Sequence, residues 1–171
     1  MIIGLLGPTN VKKYCDILGF ELSEYKYFLE KIAEHLAKTG HEIIIMPSQN
    51  QTSQSIVAQT YKDYRGKKVI GIIPMDDTEW GLLDIDEHFA DENINCGTWR
   101  NQPETFCEKS DILLVIGLSP GAMIELCYTK WFKVEKIYII KELISGKLHP
   151  EIEKDLNVEY ISISELEDKI K

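Results

Sequence analysis

Apolar residues recur along this chain in two rhythms. Six short runs read as strands: Ile2 to Leu6, Glu42 to Met46, Lys68 to Ile73, Asp111 to Ile116, Glu135 to Ile140 and Val158 to Ile163. Longer amphipathic stretches lie between them. Glu21 to Lys38 predicts a helix with Phe28, Ile32 and Leu36 on one face, Ser23 as candidate N-cap and Gly40 just past its end. Thr52 to Tyr64 predicts a second helix, ended by Gly66. Thr98 to Lys109 predicts a third, in which Pro103 argues for a break or a late start. Ser119 to Phe132 predicts a fourth. Ser164 and Glu167 fit a capping box before a short last helix. Residues 75 to 97 predict an irregular segment.

The apolar runs are continuous rather than alternating, as in strands covered on both faces, and strands separated by helices imply right-handed parallel crossovers. The expected architecture is a Rossmann-like, doubly wound α/β fold. Its sheet is mainly parallel, with about six strands and helices on both faces. The 171 residues suit one domain spanning 1–171. Such folds bind ligands at the carboxyl ends of their strands, near the point where strand order reverses.

Charge changes this picture in one place. The chain carries a net charge of −9. Eight acidic residues and no Lys or Arg fall between Asp76 and Glu92, and the rest is nearly balanced at 20 acidic against 19 basic residues. No basic stripe exists, which disfavours nucleic acid as a partner. The longest apolar stretch, Ile112 to Leu118, is far short of the about 20 residues a membrane helix needs, so no membrane partner is expected. No basic residue precedes the first apolar run, so a signal peptide is not expected. The cysteines (Cys15, Cys96, Cys107 and Cys127) show no Cys-x-x-Cys spacing, which argues against structural zinc. A cytoplasmic location follows as the expectation.

Candidate chemistry sits just after the strands. Gly7, Thr9 and Asn10 follow the first, and small polar residues there either bind a ligand or form a turn. Ser48 lies in the polar loop Pro47 to Ser53 after the second. After Ile116, Ser119 suits an N-cap and Pro120 the first helical position, leaving the amides of Gly121 and Ala122 for an anion. Glu125, in an otherwise apolar helix, belongs either to the edge of a cleft or to a solvated stripe. Arg100 is either a planar donor for phosphate or carboxylate or a surface arginine. Asp84, Asp86, Glu87 and His88 could ligate a divalent cation, although acidic runs are more often solvated, and no metal or cofactor is assigned. A segment as long as 75–97 suits a lid or binding loop. No Gly-x-Gly-x-x-Gly and no P-loop occurs.

The stretch from Trp99 to Phe132 resembles the signature region of the SLOG superfamily, which includes the "lonely guy" phosphoribohydrolases and the molybdenum cofactor carrier proteins. Arg100-Asn101, Ser110-Asp111, the strand Ile112 to Ile116 and Leu118-Ser119-Pro120-Gly121-Ala122-Met123-Ile124-Glu125 follow its pattern of arginine, Ser/Ala-Asp, apolar strand and Gly-Gly-x-Gly-Thr-x-x-Glu. Lys68 to Pro74 and Gly7-Pro8-Thr9 are similar to the family's third strand and first loop. The glycine-rich loop after the second strand is replaced by Pro47 to Ser53, and Leu118 and Ser119 stand where the first two glycines would be. Gly121-Ala122-Met123-Ile124-Glu125-Leu126-Cys127-Tyr128 also resembles the Gly-x-x-x-Glu-Leu-Gly-Tyr segment of nucleoside 2-deoxyribosyltransferases.

The first resemblance implies a nucleotide-binding protein that hydrolyses the N-glycosidic bond of a nucleoside 5′-monophosphate. Glu125 and Arg100 would be its catalytic residues, and Ser119, Gly121 and Ala122 its phosphate site. A carboxylate beside the sugar would stabilise the oxocarbenium-like charge that develops. Two alternatives stand beside it: a non-catalytic nucleotide or cofactor carrier or sensor, which the missing glycines favour, and base exchange between deoxynucleosides. The expected partners are a small-molecule nucleotide or nucleoside and, by resemblance, a second copy of the chain. Trp131 and Phe132 offer a candidate contact surface for a homodimer.

Overall fold

The computed structural model describes all of residues 1–171. Seven strands form one sheet: β1 (Ile2–Leu6), β2 (Glu42–Ile45), β3 (Val69–Ile73), β4 (Glu92–Asn95), β5 (Ile112–Val115), β6 (Lys136–Ile140) and β7 (Val158–Ile161). Their order is β4-β3-β2-β1-β5-β6-β7 and every pairing is parallel. The chain builds outward from β1 to β4, returns to place β5 beside β1, and builds outward the other way. The reversal of strand order therefore falls between β1 and β5.

Alternation along the strands divides the core. Ile3, Leu5, Ile43, Ile45, Ile112 and Leu114 point to one face. They meet α1 (Val11–Leu18), α2 (Leu22–Lys38), α3 (Ser53–Asp63) and the closing helix Leu166–Lys169. Leu6, Ile44, Ile72, Leu113 and Val115 point to the other, against α4 (Gln102–Lys109) and α5 (Pro120–Tyr128). Gly4 sits under α4, where a Cβ would meet Leu113 and the Ser110 hydroxyl at 2.5 Å, so the helix packs closely on β1 only because that side chain is missing.

Four elements differ from the sequence expectation. β4 is a seventh strand inside the segment expected to be irregular, and α1 occupies residues to which the sequence pattern assigned no element. Asn10 caps α1 by accepting from the Lys13 amide at 3.0 Å, and Gly19 ends it in the left-handed conformation at φ 72°. Glu21, not Ser23, holds the N-cap position of α2. The last capping box uses Ser162 and Glu165, two residues earlier than expected, because β7 ends at Ile161. The late start anticipated at Pro103 is present: a short 3-10 turn, Trp99–Asn101, precedes α4.

Gln54, in the first turn of α3, ties the two strands that lead to the site. Its Nε2 donates to the Leu5 carbonyl at 2.7 Å and its Oε1 accepts from the Met46 amide at 3.1 Å. We expect Gln54→Leu to leave both backbone groups unpaired and to lower stability by about 2–6 kcal/mol, at about 1–3 kcal/mol for each orphaned group. The midpoint of urea denaturation reads this directly; an unchanged midpoint would show that the strand ends find other partners.

Candidate functional site

Where β1 and β5 end, their backbones leave the ladder and need other partners. Tyr25 donates to the Ile116 carbonyl at 2.9 Å. Tyr14 donates to Leu143 O and accepts from the Leu118 amide, both at 2.8 Å. The Ser53 hydroxyl and amide both reach the Pro8 carbonyl, at 2.9 and 3.1 Å. Burial pushes the Tyr25 phenol well above its ordinary range, so it remains a donor. Gly7 is packed beneath Ser53, which would clash with any Cβ there, and Gly117 has φ 148° with Pro8 and Tyr14 against it. These glycines serve close packing at the strand ends.

The principal cavity lies to one side of this closed seam. It has a volume of about 710 Å³, within the range of small-molecule sites. Its walls come from the loop between β1 and α1, the loop between β2 and α3, and the acidic segment after β3. Leu22, Met46, Ile56, Trp80, Leu83 and Trp99 supply apolar surface. Thr9, Asn10, Ser48 and Thr52 supply polar groups, and Lys12, Lys26 and Asp84 the charges. Lys26 Nζ donates to Gln51 Oε1 at 3.0 Å. The amides of Val11 and Lys12 open α1, have no acceptor within the chain, and belong to residues that line the cavity. A helix start of this kind favours an anion.

The acidic segment is an ordered wall. Asp77 Oδ1 accepts from the amides of Glu79, Trp80 and Gly81 at 2.9, 2.7 and 3.2 Å, and its Oδ2 from the Trp99 amide at 3.1 Å. The Trp80 amide, followed by the others, holds the Asp77 carboxyl below the usual carboxylate range. Trp99 Nε1 donates to the Gly81 carbonyl at 2.8 Å, which fixes its ring. Further along, the Gln49 amide donates to Asp84 O at 2.9 Å, and Ser48 and Ile85 form an antiparallel bridge. No group of three His, Cys, Asp or Glu side chains converges to hold a metal.

The sequence-predicted residues do not share one site, and Gly7, expected to bind a ligand, lies in the packed seam instead of the cavity. Thr9, Asn10 and Ser48 line the cavity. Ser119, Gly121 and Ala122 stand at the start of α5, across the seam and outside it. Ser119 Oγ accepts from the Ala122 amide at 3.2 Å, so the expectation of two free amides is corrected to one, that of Gly121. Neither Arg100 nor Glu125 lines the cavity. Arg100 is exposed and pairs with Glu79 at 2.8 Å, closing the acidic wall. Glu125 is only 8% exposed, which corrects both the cleft edge and the solvated stripe expected for it. It packs between α4 and α5, where Gln102 Nε2 donates to its Oε1 at 2.7 Å and the Cys107 thiol donates to its backbone carbonyl at 3.2 Å. Burial pushes its carboxyl up to about 7, against the smaller opposing effect of Gln102. Burial, with Glu125 nearby, likewise raises Cys107 to about 12. The reading from sequence missed Lys12, Lys26, Trp80, Asp84 and Trp99 as cavity residues; the helical spacing of Val11, Tyr14, Cys15 and Leu18 was the signal that would have placed Lys12.

No family model matches the chain, and no curated protein matches it. Solved structures do. The molybdenum cofactor binding protein from the phototrophic bacterium Rippkaea orientalis aligns at TM-score 0.69 and 16% identity, over 99% of this chain and 94% of that one. The Moco carrier protein from Chlamydomonas reinhardtii aligns at TM-score 0.66 and 17% identity, over 95% and 90%. The chain thus shares the fold of these proteins over nearly its whole length.

Glu125 makes stability depend on pH. Its folded value of about 7 lies above the ordinary value of 4.5, so the neutral carboxyl is the form the fold prefers. Its contribution is fully present below about pH 4.5 and is lost as pH rises through about 7, a change of about 3 kcal/mol at most at 1.36 kcal/mol per unit. We expect Glu125→Gln, which keeps an acceptor for Gln102, to remove this dependence. The difference in melting temperature between the two proteins should grow in the variant's favour from pH 4.5 to 7.5. A constant difference would mean that the carboxyl is solvated.

The Asp77 carboxylate makes a second expectation. Asp77→Ala should raise hydrogen-exchange rates of the Glu79, Trp80, Gly81 and Trp99 amides at least tenfold. Exchange in β1 and β5 should not change. Equal protection in the variant would show that the wall is held without this cap.

Proposed function

We propose that this protein binds a nucleotide or a related phosphorylated heterocyclic cofactor in the cavity beside β1 and β2, as a SLOG-type carrier or sensor. The observation that carries the reading is the cavity itself. It combines the unpartnered Val11 and Lys12 amides, the Lys12 and Lys26 ammonium groups and the indoles of Trp80 and Trp99 at the carboxyl edge of a doubly wound sheet. A phosphate at the start of α1 and a flat ring against an indole would use both ends. The likeness in fold to a molybdenum cofactor binding protein and a Moco carrier protein supports a carrier. A pterin cofactor with a terminal phosphate fits this donor set.

N-glycosidic hydrolysis is the less favoured reading. It needs Glu125 beside a sugar, and Glu125 is buried against Gln102 outside the cavity. Self-association through α5 belongs to the proposal: Trp131 is 71% exposed, with Ile124 exposed and Tyr128 in edge contact. Light scattering at twice the 19.7 kDa chain mass would support it, and a monomer would remove it.

The test is titration calorimetry with nucleoside monophosphates, followed by chromatography of the mixtures. We expect saturable binding, no free base, and about a tenfold weaker Kd in Lys12→Ala for phosphorylated ligands only. Free base plus sugar phosphate, lost in Glu125→Gln, would instead establish the hydrolase. Absence of both binding and product would overturn the assignment of the cavity.

A further inference from the structure

Glu125 is the only Asp or Glu of the chain that is buried. Its carboxyl lies between α4 and α5 and accepts from Gln102 Nε2 at 2.7 Å, with no cation paired to it. α5 has no other charged side chain, and the charged residues of α4, Glu104, Glu108 and Lys109, are exposed. The titratable group that meets Glu125 from α4 is the Cys107 thiol, which burial keeps neutral by pushing it up to about 12. On the strands beneath the pair, Glu42 and Lys136 are taken by Lys67 and Glu159. An ionised carboxylate in this place has neither water nor a counter-charge.

Gln102 is itself buried and is the first residue of α4. Its amide donates to the Trp99 carbonyl. The Trp99 amide donates to Asp77 Oδ2 at 3.1 Å and its indole to Gly81 O at 2.8 Å, and the next residue, Arg100, pairs with Glu79. Glu125 thus stands at the inner end of a continuous run of hydrogen bonds. The outer end is the Trp99 indole that lines the cavity, with the acidic wall attached. To be hydrated, an ionised Glu125 must draw the first turn of α4 away from α5, and Trp99 moves with that turn. Building on the reading of the cavity as a ligand site, we propose that Glu125 is a positioning residue for it: protonated, it seats Gln102 and the Trp99 indole; ionised, it loosens that wall and releases the ligand. Burial outweighs the bond from Gln102 and brings the carboxyl from 4.5 to about 7, so ligand is held below neutrality and released above it.

Two measurements on the full chain test this. The first needs no ligand. The Trp99 indole N–H, assigned with Trp99→Phe, and the Glu125 carboxyl carbon are followed by NMR across pH. Both should move with one midpoint near 7. The indole should stay still in Glu125→Gln, which keeps an acceptor for Gln102 without the charge. In Gln102→Ala the carboxyl should still titrate and the indole should no longer follow it. An indole that stays still while the wild-type carboxyl titrates, or that titrates alike in Glu125→Gln, would overturn the role of Glu125. The second measurement is calorimetric titration with GMP. From about pH 6 to about pH 8, wild-type affinity should fall at least about fivefold relative to Glu125→Gln, an ordinary size of coupling between two sites. Taking the ratio cancels the titration of the ligand's own phosphate. Well below neutrality the carboxyl is protonated with or without ligand, and GMP leaves Glu125 undisturbed. A constant ratio would overturn the release of ligand. Failure of GMP to bind either protein at any pH would overturn the cavity's assignment, and the indole titration still decides the role of Glu125.

Discussion

The ends of β1 and β5 pose the problem on which the rest of the molecule turns. Their backbone groups leave the ladder in the middle of a sheet covered on both faces, where an unpaired carbonyl or amide is costly. Tyr14 and Tyr25 reach across from α1 and α2, and Ser53 and Gln54 from α3, to meet them. The result is a polar seam whose donors and acceptors are already matched. A ligand cannot use those groups without displacing them. The opening turn of α1 is unmatched at this edge, and the cavity forms there.

The same closure separates two regions that a nucleotide-binding reading would join. On the α5 side, Ser119 holds the Ala122 amide, and Glu125 is held by Gln102 in a tight helix pair. On the α1 side lie unpartnered amides, lysines and indoles, walled by an acidic segment that Asp77 gathers into shape. The excess negative charge of the chain therefore has a structural use. Much of it sits in the wall, where carboxylates cap backbone amides or pair with Arg100.

The fold was largely legible in sequence because it rests on apolar runs. Ile112 to Ile116 and Val69 to Ile73 are continuous, and they are buried on both faces. β4 was not legible, since Glu92-Asn93-Ile94-Asn95 is an edge strand whose polar side chains carry no strand rhythm. α1 carried its signals in Asn10, in the spacing from Val11 to Leu18 and in Gly19, but it is short and follows a loop that resembles a turn. The site was legible only in part. Local motifs pointed to Thr9, Asn10 and Ser48, and these line the cavity because loops after strands face the carboxyl edge. They could not show that Glu125 points into a helix interface, nor bring Trp80 and Asp84 back over β2, because both depend on tertiary hydrogen bonds between distant segments.

The central claim is that ligand is received at α1 rather than at α5. Amide shifts of isotope-labelled protein titrated with GMP test it most directly. The account predicts the largest changes at the Val11 and Lys12 amides and at the indoles of Trp80 and Trp99, with Gly121 and Glu125 unmoved. Changes centred on Gly121 and the first turn of α5 would contradict it.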